Sequence, residues 1–290
     1  MRVAFVTPRF GPQIVGGAEM AARQLAEHLV SEIGWEAEAY STCAVDHITW
    51  ADELPEGDTV ENGVEVHRFR SAAGRAPEFY AVDGRLRLAP RQAGLADARR
   101  WVELNGPVTP ALLDALEETR ADVVAFYPYL YYPTVAGVGR VKVPAVLHPA
   151  AHDEPAIYLP VFRRTFADAD ALCYHTVAER RLVQRIHKVA EHPQVVLGLG
   201  VEHEPAAGGR PGGEVLGIGD RPYIVSMGRV DEHKGSAMLA EFFRLYKKRH
   251  PGPLALALVG PVAARIEPHP DIVVTGVVDE PAKWDIVRDA

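Results

Sequence analysis

The sequence predicts an α/β protein of two doubly wound, parallel-sheet domains, the second incomplete, and three observations lead there. Short apolar runs alternate with helical periodicity along most of the chain. A stretch dense in Gly and Pro, from Glu202 to Arg221, interrupts that alternation, and beyond it the alternation resumes only briefly. The chain therefore divides into a first domain at 1–201, a linker at 202–221 and the start of a second domain at 222–290. Its 290 residues are too many for one ordinary doubly wound domain and too few for two complete ones.

In order along the chain, the run at 3–7, ended by Pro8, Gly11 and Pro12, reads as a strand buried on both faces. From Ala18, residues Ala22, Leu25, Ala26, Leu29, Val30 and Ile33 recur at helical spacing until Gly34, which supplies a left-handed stop. Residues 35–40 alternate as a strand, and Asn62-Gly63 between Val60 and the Val64, Val66 pair predicts a tight hairpin. The stretch from Ser71 to Gln92 is rich in Ala, Gly and Arg and has little period, so irregular structure is expected. Thr109-Pro110 reads as a helix cap followed by proline at the first helical position, leading into Leu112, Leu113 and Leu116. Strands follow at 122–126, 145–147, 171–174 and 195–197, with Thr176 and Glu179 as a capping box between the last two. Past the linker, strands are expected at 223–227, 254–259 and 272–275, with a helix at 236–250 and the first turns of another from 280. Open doubly wound sheets commonly have about five or six strands, so the second domain reads as cut short.

With 48% apolar and 24% charged residues the composition is that of a soluble globular protein. A net charge of −8 argues against a nucleic-acid binder, which needs an excess of Lys and Arg over a face, so any phosphate ligand must be held locally. Cys43 and Cys173 lie far apart with no CxxC, which predicts neither a disulfide framework nor a zinc site and makes the reducing cytoplasm the expected location. The apolar run at 3–6 is too short for a signal-peptide core or a transmembrane segment.

Two loops carry candidate chemistry. Gly16, Gly17, Ala18 and Glu19 stand immediately before a helix, where unpaired backbone N–H groups at the positive end of the dipole favour phosphate and glycine lets it approach. The other reading is a flexible turn, and the spacing is not that of a GxGxxG dinucleotide site. In the stretch from Ser226 to Phe243, Gly228-Arg229 ends a strand and Lys234-Gly235 precedes a helix. Two cations thus flank one tight loop at the carboxyl edge of a sheet, where open α/β folds bind ligands, and they either neutralise a diphosphate or are solvated surface charges.

Gly16-Gly17 after the first strand, an HDE segment at His152-Asp153-Glu154, and GRVDEHKG from Gly228 after a linker come in the order and spacing of a known family. In these the chain resembles the retaining glycosyltransferases of family four, which have the GT-B fold. The similarity covers most of the chain, including residues 41–57, and GRVDEHKG is its most specific part. It implies two Rossmann-like domains facing one another across a cleft, with the nucleotide-sugar donor mainly on the second and the acceptor against the first. Arg229 and Lys234 would then be catalytic, binding the donor diphosphate and stabilising charge on the departing nucleotide. Gly16 and Gly17 would offer backbone N–H groups to the same phosphates. His152 would contact the transferred sugar and help place the acceptor hydroxyl, although with 12 histidines a structural role is the common alternative.

Asp153 and Glu154 are either acceptor contacts or caps of a nearby helix, capping ranking first. Asn105, in Asn105-Gly106-Pro107, and Tyr131, in the cluster Tyr127, Tyr129, Tyr131 and Tyr132, either line the acceptor side or belong to the core. The implied reaction moves a sugar from a nucleotide-diphosphate sugar to an acceptor hydroxyl with retention. It needs no cofactor and no metal, since the sequence is read as holding no DxD metal motif and the Lys and Arg pair takes the metal's role.

One departure from the family is large. Its second domain carries two glutamates separated by seven residues, and here that spacing occurs only at Glu19 and Glu27 and at Glu53 and Glu61, in the wrong domain. The motif is expected after Ala290, and these residues alone are expected to bind donor weakly without useful turnover. Two further classes stand beside the transferase: a noncatalytic nucleotide-sugar or partner-binding module, its short sheet covered by a partner or a second copy as an oligomer, and a nucleotide-sugar epimerase of the same architecture.

Overall fold

The computed structural model describes residues 1–14, 16–200, 209–232 and 234–290, in two compact units, Met1–Gly200 and Val201–Ala290. The first unit is built on β1 (Arg2–Val6), β2 (Glu36–Thr42), β3 (Gly57–Glu61), β4 (Val64–Phe69), β5 (Val123–Phe126), β6 (Ala145–Leu147), β7 (Ala171–Tyr174) and β8 (Gln194–Val196). Its helices are α1 (Gly17–Ser31), α2 (Phe79–Leu88), α3 (Leu95–Asn105), α4 (Pro110–Glu117), α5 (Tyr132–Gly137), α6 (Val161–Ala167) and α7 (Val177–Ile186). The sheet order is β3-β4-β2-β1-β5-β6-β7-β8, parallel except for the β3–β4 hairpin. The chain therefore winds outward from β1 in both directions, which puts the topological switch point at the carboxyl ends of β1 and β5.

The continuous apolar run of β1 follows from this central position. Val3 and Phe5 enter a core with Ala22 and Ala26 of α1, whereas Ala4 and Val6 enter a larger one with Trp101, Leu112, Leu113 and Phe162 on the other face. Both faces are covered, so neither needs polar residues. At the edge, Glu61 pairs with Val64 and the turn between them has Asn62 at φ 49 and Gly63 at φ 85, the paired left-handed conformation of a type I′ hairpin.

Three expectations are corrected here. Residues 71–92 are not irregular throughout, since they contain α2 and a 3₁₀ turn at Pro90–Gln92. Only Phe79 and Val82 of α2 are buried, Phe79 lying 5.6 Å from the Trp101 ring, too few anchors to give a visible period. Thr109 precedes α4, with Pro110 at its first position, but does not cap it: its hydroxyl donates to the Pro107 carbonyl at 3.4 Å. In the Gly/Pro stretch at 202–221, residues 201–208 lie outside the described residues, and Gly212–Val215 forms a short helix, α8. Its glycines serve close packing rather than freedom. A Cβ on Gly212 would collide with the Tyr223 hydroxyl, and one on Gly213 with the Gly219 carbonyl.

The second unit continues with β9 (Tyr223–Met227), α9 (Ser236–Arg249), β10 (Ala255–Val259), β11 (Ile272–Gly276) and α10 (Glu280–Arg288). Its parallel sheet has the order β11-β10-β9, with Tyr223, Ala255, Ala257 and Ile286 packed on one face and Phe243, Leu256 and Leu258 on the other. Among the described residues no helix is long and apolar enough to cross a membrane. Cys43 and Cys173 are both free thiols and buried.

Candidate functional site

Three loops meet at the carboxyl edge of the first sheet: those after β1, β6 and β7. Gly17 opens α1, and among the described residues a Cβ there would meet nothing within 4 Å. Together with Ala18 it lines a cleft of about 710 Å³ whose opposite wall includes Ala151, His152, Asp153 and His175. The structure thus brings Gly17, His152 and Asp153 into one cleft.

Glu179 of α7 holds the second and third loops in place. Its carboxylate accepts the Ala151 N–H at 2.9 Å and the His175 N–H at 2.7 Å, while the Thr176 hydroxyl accepts the Glu179 N–H at 3.0 Å. The capping box is therefore half realised: the threonine caps, but the glutamate serves the neighbouring N–H and a residue 28 positions away. Ala150, just before Ala151, sits at φ 50, a conformation a non-glycine residue holds only when its surroundings impose it. His152 follows, exposed to the cleft.

Two further histidines stand behind it. Burial, and then the nearby His152, lowers the His175 imidazole against the opposing charge of Glu179. His148 is 4% exposed, stacks on Tyr127 with ring centroids 4.1 Å apart, and is pushed down to about 3 by burial, with His175 adding to the effect. Both are neutral imidazoles at neutral pH.

The β1 loop is tied by a buried ion pair. Arg9 donates through Nε and Nη2 to Glu19 Oε1, at 2.9 and 2.5 Å, and through Nη1 to the Val45 carbonyl at 2.9 Å. Gly16 lies against this pair, and a Cβ there would collide with Glu19 and approach Arg9 Nη2 at 2.9 Å. Gly16 is thus a packing glycine, and it is Gly17 that faces the cleft.

Asn105 and Tyr131 do not line the cleft but meet around Trp50. The Trp50 indole donates to the Asn105 carbonyl at 2.8 Å, the Asn105 side chain accepts from Arg75 at 2.8 Å, and Tyr131 lies edge-on to Trp50 at 5.0 Å. Burial, with the charge of Glu19, pushes the Tyr131 phenol up to about 12. Tyr127 and Tyr129 are core residues.

Neither acid of the HDE segment caps the 3₁₀ turn Pro155–Tyr158, contrary to the expectation that ranked first. Asp153 accepts from the Tyr158 hydroxyl at 2.6 Å and from Arg185 at 3.3 Å, and Glu154 accepts from the Tyr129 hydroxyl at 2.9 Å. Asp153 thus ties the end of the turn to α7, and Glu154 ties its start to Tyr129 after β5.

In the second unit, Arg229 and Lys234 are both exposed on the loop between β9 and α9. Asp231, buried between them, accepts the Arg229 Nε at 2.5 Å on one oxygen and the Lys234 backbone N–H at 2.7 Å on the other. Gly235, at φ 72, turns the chain into the 14-residue α9. Behind the loop the backbones of Gly228 and Gly260 are in such close contact that a Cβ on Gly260 would strike the Gly228 carbonyl. The carboxyl edge of this sheet thus presents two cations beside an open helix start.

Two acidic arrangements bear on metal binding. Asp168-Ala169-Asp170 has the DxD spacing that the sequence reading passed over, but Asp170 accepts the Ala145 N–H at 2.8 Å and Asp168 accepts Arg164 Nε at 3.0 Å, both away from the carboxyl edge. Glu38, Glu65 and His67 could place three ligand atoms within 4.8 Å of one another. Arg2 occupies that position instead, 2.6 Å from Glu65 and 3.3 Å from Glu38, and His67, hydrogen-bonded to Glu38 and Asp58, is pushed up to about 9.

Sequence reasoning missed His148, His175, Arg9, Trp50 and Arg75. Arg9, two residues after the predicted first strand and ten before an acid on the first helix turn, carried the only available signal.

No protein-family model and no curated protein matches the chain. Solved structures do. The chain is similar to sucrose-phosphate synthase from Thermosynechococcus elongatus, with a TM-score of 0.64 at 15% identity over 99% of this chain and 73% of that one. It is also similar to the trehalose-6-phosphate synthase OtsA, with 0.66 at 14% over 100% and 77%, and to HepE from Anabaena solved with UDP and glucose, with 0.56 at 13% over 98% and 71%. These likenesses establish the fold: the chain has the GT-B architecture of glycosyltransferases, a large parallel α/β unit followed by a smaller one.

Proposed function

We propose that the chain is part of a glycosyltransferase that moves a sugar from a nucleotide-diphosphate donor to an acceptor hydroxyl with retention. The observation that carries this reading is the β9–α9 loop, where Asp231 holds Arg229 and the Lys234 backbone beside the start of α9. Arg229 offers a fork to two phosphate oxygens and Lys234 a movable charge, and together they stabilise the charge that grows on the nucleotide as the anomeric C–O bond breaks. No metal is needed where two cations do this work. In the first unit the N–H of Gly17 is available to an anion. His152 positions the sugar and the acceptor hydroxyl, with Asp153 beside it in the same cleft. Asn105 and Tyr131 act at one remove by holding Trp50.

The test is titration of the chain with UDP, ADP and GDP by calorimetry, followed by transfer assays with the preferred donor in the complete enzyme. Each of Arg229→Ala and Lys234→Ala should weaken the preferred nucleotide about tenfold or more, the value of one charge-assisted hydrogen bond. Transfer should persist in EDTA, and the product anomer, read by NMR, should match the donor. Unchanged affinity in both variants would remove the phosphate role. Donor conversion without acceptor would point to an epimerase instead.

A further inference from the structure

The first unit contains a second cavity, of about 430 Å³, in the helix layer between α3, α5 and α6, and it shares no lining residue with the cleft. That volume lies within the range of small-molecule sites, about 300–1,000 Å³. Its wall is amphiphilic. Val102, Val135, Ala136 and Val161 supply an apolar surface, and Arg99, Arg140, Arg163 and Arg164 supply four cations against two acids, Glu103 and Asp168. An excess of positive charge is thus gathered in one concavity of a protein whose net charge is −8.

The cations are not equivalent. Arg164 pairs with Asp168 at 3.0 Å and Arg140 with Glu117 at 3.3 Å. Arg99 and Arg163 are exposed, and neither makes an ion pair with any described residue.

We propose that this cavity binds a small amphiphilic anion, an apolar chain or ring bearing one phosphate or carboxylate head. The head is held by Arg99 and Arg163, and the body lies against Val102, Val135 and Val161. Free phosphate would leave the apolar wall in water, and a neutral hydrocarbon would desolvate two unpaired guanidinium groups. Neither alone matches the wall.

Calorimetric titration of the full chain with decyl phosphate, decanol and inorganic phosphate tests this. Decyl phosphate should bind saturably at one site, and decanol and phosphate at least about tenfold more weakly. Arg99→Ala and Arg163→Ala, both at exposed positions, should each weaken decyl phosphate about tenfold with the ligand-free melting temperature unchanged. Saturating nucleoside diphosphate should not displace it. Sedimentation with phosphatidic acid vesicles, lost in the Arg99→Ala, Arg163→Ala double variant, would place the head group in a bilayer; decyl phosphate binding without sedimentation would place it in a soluble metabolite. Equal affinity for decyl phosphate and decanol, or affinity untouched by the arginine variants, overturns the proposal.

Discussion

Glu179→Gln exchanges one oxygen for an NH2 group at constant volume and asks whether a single carboxylate holds the cleft loops. In the wild type both oxygens are used, one by the Ala151 N–H and one by the His175 N–H, and the side chain is buried. The amide keeps one acceptor, so one of these N–H groups faces another donor. Loss of a charge-assisted hydrogen bond and stranding of a buried N–H cost about 2–4 kcal/mol together. Loss of the negative charge in the first turn of α7 adds about 0.5 kcal/mol. In a unit spanning Met1–Gly200, a loss of about 3 kcal/mol lowers the melting temperature by roughly 6–12 °C. Circular dichroism measures the midpoint, and hydrogen exchange at the Ala151 and His175 amides localises the effect. A midpoint within about 1 °C of wild type, with both amides still protected, would refute the assignment of loop geometry to Glu179.

Two other predictions concern stability. His148 and His187 are held down to about 3 and about 4 by burial, below the ordinary imidazole value near 6.5. Their contribution is therefore complete above about pH 6.5 and is lost as pH falls toward the folded values, about 2 kcal/mol per histidine by pH 5. Urea midpoints at pH 7.5 and pH 5 should show this, and His187→Phe, beside the stacked Phe166 ring, should reduce the difference; an unchanged difference in that variant counts against burial as the cause. Gly260→Ala should destabilise by about 2–4 kcal/mol and abolish nucleotide binding, because φ is 139 and the new methyl meets the Gly228 carbonyl, whereas Gly252→Ala, in open space, should stay within about 0.5 kcal/mol. Equal melting temperatures for the two variants would contradict the close-approach argument.

Much of the fold was legible because its signals are local. The apolar run of β1, the period of α1 and the Asn62-Gly63 turn each need only a few adjacent residues, and each element stands where expected. Helix α2 was not legible because Phe79 and Val82 owe their burial to α3, which no local window contains. Composition misled at α8, where glycine is required by Tyr223 and by the backbone of Gly219, both outside the helix. The site divides the same way. The helix starts that present Gly17 and Lys234 could be read from strand, loop and helix order, but the pairing of Arg9 with Glu19 and the reach of Glu179 to Ala151 are tertiary contacts. Thr176 and Glu179 announced a helix start, and nothing in their spacing announced what else the glutamate would hold.

Asp231 has a consequence for how the β9–α9 loop should be ranked against other basic loops. It engages Arg229 through Nε, while the arginine side chain stays exposed. An unanchored guanidinium would have to be frozen from many rotamers when an anion arrives, whereas this one is already steered by a buried acid. The carboxylate lowers the loop's net charge and at the same time lowers the entropy lost on binding. Two loops with equal counts of Lys and Arg can therefore differ in affinity by the presence of an acid, because the acid changes both the charge an anion meets and the freedom it must freeze.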